Sequence, residues 1–275
     1  MQDNETVNSS QRPMHPTIQQ IREVTQPQEI LSRANSEHWL NDVYLRKLSP
    51  YFTRIFIRVG LSPNLVTVIM IGIGKIAAIS LLLTGLPGAV LAACLAQFQM
   101  VIDCSDGEVA RWQEKYSPAG IFLDKVAHYT VEALVPVALG IRAAGGISVF
   151  SSSTMSWWPW LGACLAVLVV LNKALNDAVH IARAQTGREK LHDEKSVSAP
   201  SHAVLARLKS LTKFFPFQKI FHSIEMTMLI LVAAIADSRT SSLIWTQHLL
   251  TGMVLAAGLT VIGHFLSIMS SSRLK

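Results

Sequence analysis

Six stretches of the chain are apolar over roughly 20 residues each, with polar or basic segments between them. They run from about Leu65 to Thr84, Leu86 to Val109, Pro118 to Ile141, Trp157 to Ile181, Ile220 to Ala236 and Leu243 to Ile268. A helix of that length and character crosses the hydrocarbon core of a bilayer, so the pattern predicts an all-α, polytopic membrane protein with six transmembrane helices. Ahead of them, Trp39, Leu40, Val43, Tyr44, Leu48, Tyr51, Phe52, Ile55, Phe56 and Val59 recur at helical spacing among Arg46, Lys47, Arg54 and Arg58. That mixture suits N-terminal amphipathic helices at the membrane interface, or equally a cap on the bundle, with Pro50 expected to separate two of them. The expected organisation is a flexible polar tail over 1–37, juxtamembrane helices over 38–60, a membrane domain over 61–270 and a short tail over 271–275. No internal repeat is visible.

Composition strengthens this picture. The chain has 275 residues, 50% hydrophobic and only 15% charged, against roughly 25% charged in soluble domains. Cys94, Cys104 and Cys164 have no paired spacing, which argues against a disulfide framework or zinc site and for small core residues. The polar first 35 or so residues hold no apolar leader core, so internal helices would place the chain in the membrane.

The net charge of +6 is explained by where the basic residues lie. They gather before the first span, at Arg111 and Lys115, between Arg183 and Lys219, and at Arg273 and Lys275, while the opposite side holds only Arg142 and Arg239. Cytoplasmic loops carry the Lys and Arg excess, so both termini are expected inside and no nucleic acid is needed.

Carboxylates within spans are costly, about 2.5–3.5 kcal/mol each, and usually functional. Asp103 and Asp106 lie three apart near the cytoplasmic end of the second span, on one stripe with Ala110. Asp124, in the third span, shares a stripe with Gly120, His128 and Glu132. Short acidic side chains on consecutive helices suit a divalent cation such as Mg²⁺, Mn²⁺ or Ca²⁺, and Gly107 and Gly120 would let backbone or phosphate approach. A purely stabilising Asp–Arg network and an ion-conducting relay are the alternatives.

The run Asp103-x-x-Asp106-Gly107-x-x-Ala110-Arg111, eight residues, then Gly120-x-x-x-Asp124-x-x-x-His128, resembles the signature of the CDP-alcohol phosphotransferases. The family has a fourth Asp where this chain has His128. Pro63-Asn64-x-x-Thr67 resembles the family's entry to the first span. The resemblance implies a homodimeric six-helix membrane transferase with a cavity open to the cytoplasm and two metal ions, Mg²⁺ or Mn²⁺, and the compact size favours the cell (plasma) membrane over an organelle. A CDP-alcohol donor, such as CDP-diacylglycerol, would pass its substituted phosphate to a hydroxyl acceptor (a polyol, polyol phosphate or lipid) with release of CMP, as in phospholipid synthesis. Asp103, Asp106, Asp124 and His128 would be metal ligands. Gly107, Ala110, Arg111 and Gly120 would surround the nucleotide and phosphates, joined by Asn64 and Thr67, while Asp124 and His128 would be catalytic.

His128 leaves three readings open. It serves as base or ligand; another group such as Glu132 moves the proton; or the site is kept while the chemistry is lost or changed. A silent scaffold or a transporter using the acidic cluster as a cation path are the rival functions. Within the spans, Lys75 is expected to pair with Glu132 or to bind an anionic lipid or donor. Asn172, Asn176 and His180 share one face, suiting a cavity or helix–helix hydrogen bonds. His222 and Glu225 are expected near lipid headgroups, and Trp157, Trp158 and Trp160 at the membrane boundary.

Overall fold

The computed structural model describes residues 12–28, 41–151, 156–188 and 219–274. The expected basic loop from Arg183 to Lys219 falls largely outside these, as do 1–11 and 29–40 of the expected tail and juxtamembrane segment. Among the described residues there is no strand. The principal helices are α1 (Ile18–Thr25), α2 (Arg46–Arg58), α3 (Pro63–Ser80), α4 (Leu86–Gln113), α5 (Pro118–Ala143), α6 (Trp158–Gln185), α7 (Ser223–Thr240) and α8 (Ile244–Ser270).

Helices α3 to α8 stand where the six apolar stretches predicted them. Four of them, α3, α4, α6 and α8, are long and apolar enough to cross a membrane. The other two are diluted by charge: α5 carries Asp124, Lys125, Glu132 and Arg142, and α7 carries Glu225, Asp237 and Arg239. Large apolar side chains such as Ile76, Ile79, Val167, Leu171, Leu255, Leu259 and Ile262 face outward on α3, α6 and α8. On a water-soluble protein such a surface would be an aggregation hazard; against lipid chains it costs nothing.

The chain divides into two compact units. The first takes the described residues of Met1–Gly74 with Gln97–His128, around a core of Ile21, Ile57, Val66, Met70, Ile102, Val109, Trp112 and Ala127. The second takes Lys75–Ala96 with Tyr129–Lys275, and its core includes Leu81, Leu139, Leu165, Met226, Ile230 and Leu250.

Residues 17–26 fall within the segment expected as a flexible tail, yet they form a capped, packed helix. Thr17 Oγ1 accepts from the Gln20 backbone N–H at 3.2 Å, and the Gln20 side chain accepts from the Thr17 N–H at 2.9 Å, a reciprocal capping box. Ile21 and Thr25 are buried.

Pro50 was expected to separate two helices. Instead α2 runs through it, continuing from a π-helical turn over Asn41–Leu45. Proline lacks the N–H that would bond the carbonyl of Arg46, four residues back. Gln26 Nε2 takes its place, donating to that carbonyl at 2.9 Å. The sequence-based expectation fails because the replacement donor comes from a different helix segment.

Candidate functional site

The signature residues all lie in the first unit, on the last turns of α4 and the first turns of α5. Helix α4 ends when Glu114 adopts φ 52° and the Lys115 N–H bonds back to the Ala110 carbonyl at 3.0 Å. Ser117 then opens α5, its Oγ accepting from the Gly120 N–H at 3.0 Å, with Pro118 at the first helical position. This tight connection brings the two acidic stripes together. His128 Nε2 lies 3.5 Å from Asp103 Oδ1 and 3.4 Å from Asp124 Oδ1. One ligand atom from each of these three residues falls within 4.8 Å of the others, and all three are half-buried.

The two distances from His128 match those between ligands that share a cation. Ligands about 2.1 Å from an ion stand roughly 3.0 Å apart along an octahedral edge and roughly 3.4 Å apart along a tetrahedral one. Two carboxylate oxygens and an imidazole nitrogen form a mixed donor set that suits Mn²⁺ better than Mg²⁺.

Asp106 is not among the three that converge. Its Oδ2 accepts from Thr67 Oγ1 at 2.8 Å, so the Thr of the α3 entry is tied to the second Asp of the signature. Thr67 is buried, and its hydroxyl also reaches the Pro63 carbonyl at 3.2 Å. Asn64 stands against Gly120: a β-carbon there would come 3.0 Å from Asn64 Oδ1. Gly120 therefore admits the head of α3 to α5. Gly107 does the same for Arg111, whose Nη1 and Nη2 would lie 3.2 and 3.5 Å from an added β-carbon. The Arg111 Nε donates to the Thr25 carbonyl at 2.7 Å, fixing the root of the guanidinium. Ala110 is half-buried on the Asp103 and Asp106 stripe.

Sequence reasoning missed Glu108, which sits inside the signature but faces away from the acidic cluster. It is fully buried, and its carboxylate accepts from Ser49 Oγ and Thr53 Oγ1, both at 2.6 Å, and from Gln26 Nε2 at 2.8 Å. The available signal was an acid on the same stripe as Val101, Ser105 and Trp112. Arg12 was also missed. It closes α4 by donating to the carbonyls of Arg111 and Trp112 at 2.8 and 2.7 Å, and it pairs with Glu114 at 2.7 Å.

In the second unit, the expected Lys75–Glu132 pair is not formed. Lys75 is exposed, and Glu132 is held by Lys173 Nζ at 2.8 Å and His222 Nδ1 at 3.1 Å. His222, expected near the lipid headgroups, is exposed and reaches the buried Glu132 from that side. Asn172 Oδ1 meets His264 Nδ1 at 2.8 Å, the helix–helix hydrogen bond that was one of its two expected uses.

Four membrane-length helices, and a helix pair presenting two aspartates and a histidine together, define a membrane protein with a candidate cation centre. The chain belongs to the CDP-alcohol phosphatidyltransferase family, whose sequence profile matches residues 61–251. It is a family of membrane transferases that move phosphatidyl groups from CDP-alcohols, generally with divalent metal, in phospholipid synthesis. No curated protein matches the chain.

Proposed function

We propose that this chain transfers a substituted phosphate from a CDP-alcohol to a hydroxyl acceptor, with Asp103, Asp124 and His128 holding a divalent ion. The observation that carries this reading is that one ligand atom from each lies within 4.8 Å of the others. A bound Mn²⁺ or Mg²⁺ would spread the charge of the donor's pyrophosphate and ease departure of CMP. Arg111, rooted at Thr25, reaches the phosphates across the space that Gly107 leaves open. Asn64, Thr67, Ala110 and Gly120 line the approach of the nucleotide. Thr67 holds Asp106 available for a second ion.

The acceptor oxygen attacks the phosphorus that bears the alcohol, the bond from that phosphorus to the CMP oxygen breaks, and CMP leaves. Asp124, the most exposed of the three at 44%, takes the acceptor's proton. His128 Nε2 is the nitrogen turned towards both carboxylates, so one atom would have to serve as both ligand and base. Its position favours the ligand role.

The same reading makes α3 to α8 six spans, with both termini and the site on the cytoplasmic face of the cell membrane, in a homodimer, and assigns no nucleic-acid partner. The basic residues of the cytoplasmic segments support that orientation. The acceptor is a polyol, a polyol phosphate or a lipid.

The test is CMP release by purified protein across paired CDP-alcohol donors and acceptors, with Mg²⁺, with Mn²⁺ and without metal. Metal-dependent CMP release is expected. Cation flux into liposomes with no CMP release against any pair would overturn the reading.

A further inference from the structure

The signature helix has two occupied faces. At about 100° per residue, Glu108 lies roughly 140° round α4 from Asp103 and roughly 160° from Asp106. It therefore marks the back of the helix whose front carries the cluster. Among the described residues, the partners from other segments named here come from residues 12–53, ahead of the family-matched region that begins at residue 61. Ser105 Oγ donates to the Ser49 carbonyl at 3.2 Å; Ser49, Thr53 and Gln26 all donate to Glu108; Arg12 stacks on Trp112 at 5.8 Å. Ser49, Thr53, Ser105 and Glu108 are fully buried.

Gln26 is the keystone of this arrangement. One carboxamide nitrogen serves both Glu108 and the Arg46 carbonyl that Pro50 leaves without a helical donor. The proline thus recruits Gln26, and Gln26 ties α2 to α4. Arg46 Nη1, 3.9 Å from Glu108 Oε1, offsets part of the buried charge. One residue before this link, the Thr25 carbonyl holds Arg111.

A buried carboxylate that takes three hydrogen bonds from side chains on two other segments resists rotation of its helix. Side chains reach about 5–6 Å from a helix axis, so a rotation of about 20° moves a carboxylate roughly 2 Å. Coordination tolerates about 0.2 Å. We propose that Glu108 is a positioning residue: with Gln26, Ser49 and Thr53 it fixes the rotation of α4, and so the direction in which Asp103, Asp106 and Arg111 are presented. The proposal rests on the ion-binding reading of Asp103, Asp124 and His128.

The experiment uses the full chain in lipid nanodiscs, as wild type and as Glu108→Gln, Thr53→Val and Glu108→Ala. Gly162→Ala, which lies in the second unit, is the control for lost stability. Mn²⁺ affinity is read from the spin-resonance signal of the free ion, thermal midpoint from unfolding, and KM and kcat from CMP release per folded molecule. Glu108→Gln and Thr53→Val are expected to weaken Mn²⁺ binding about tenfold, within the range of about 10–100-fold typical when support of a ligand is lost. Saturating Mn²⁺ should recover most of their kcat, while the Gly162→Ala control loses midpoint and keeps its Mn²⁺ affinity. Glu108→Ala should be the most severe. If wild type binds Mn²⁺ and both conservative variants match it in affinity and kcat, the positioning role is overturned alone. If wild type neither binds Mn²⁺ nor releases CMP, the functional reading fails and takes the positioning role with it.

Discussion

Gly140 on α5 and Gly162 on α6 meet backbone to backbone: a β-carbon on Gly162 would lie 2.7 Å from the Gly140 Cα and 2.7 Å from the Pro136 carbonyl oxygen. Neither obstacle is the end of a flexible side chain. The crossing of two helices in the second unit depends on having no side chain at either residue, the usual way that membrane helices approach closely.

Gly162→Ala is accordingly expected to destabilise the fold by about 1–3 kcal/mol, the range for overpacking a tight contact. Thermal unfolding in detergent measures it. Activity per folded molecule should stay close to wild type, since Gly162 lies outside the unit that carries the cluster.

Gly107→Ala should behave in the opposite way. The atoms it would crowd are the guanidinium nitrogens of Arg111 at 3.2 and 3.5 Å, the end of a flexible side chain that need give by only a few tenths of an ångström. Stability should change by less than about 1 kcal/mol, as expected when a flexible side chain can yield. If Arg111 meets the donor's phosphates as proposed, the KM for the CDP-alcohol should rise about tenfold or more as its guanidinium shifts. Steady-state CMP release at fixed metal, with donor varied, checks the split between KM and kcat.

Metal removal probes the cluster directly. Chelation is expected to abolish CMP release, and Mn²⁺ to restore it at lower concentration than Mg²⁺, because an imidazole nitrogen stands beside the two carboxylate oxygens. Replacing that nitrogen by a third carboxylate in His128→Asp should shift the preference towards Mg²⁺. An unchanged Mn²⁺-to-Mg²⁺ ratio in His128→Asp would remove His128 from the ligand set.

The Glu132–Lys173 pair yields a stability prediction. Glu132 is 6% exposed and Lys173 22%, so Lys173→Met leaves a buried carboxylate with only the His222 hydrogen bond named above. Loss of one partner of a buried pair costs about 3–5 kcal/mol, whereas removing both charges is often near neutral. Unfolding of Lys173→Met, Glu132→Gln and the double variant should show the double variant recovering most of the loss in Lys173→Met.

These residues also show what was legible in the sequence. The six apolar stretches became helices at the expected places because runs of that length and hydropathy can be read locally, and four of them are long and apolar enough to cross a membrane. Asp103, Asp124 and His128 were legible because their spacing sets each on a stripe and a short connection joins the two helices. Pairings across the fold were not legible. Lys75 and Glu132 looked like partners by depth alone, but Lys173 projects from α6 to the same carboxylate and Lys75 faces outward. Pro50 looked like a boundary since its helical donor is missing, and nothing near it in sequence indicates that Gln26 supplies one. Asp106 belonged with the acids by periodicity, while its hydroxyl donor, Thr67, comes from the preceding helix.

The bonds made by Gln26 and Arg12 bear on where the folding unit starts. A shortened chain beginning at Leu61, where the family match begins, would lose Ser49, Thr53 and Gln26 together and leave Glu108 as a charge with none of its three donors. The last carbonyls of α4 would lose Arg12 in the same cut. Trimming to residue 61 therefore removes bonding partners that buried groups of α4 take from residues 12–53, so the helix that carries the signature leans on chain ahead of the family match.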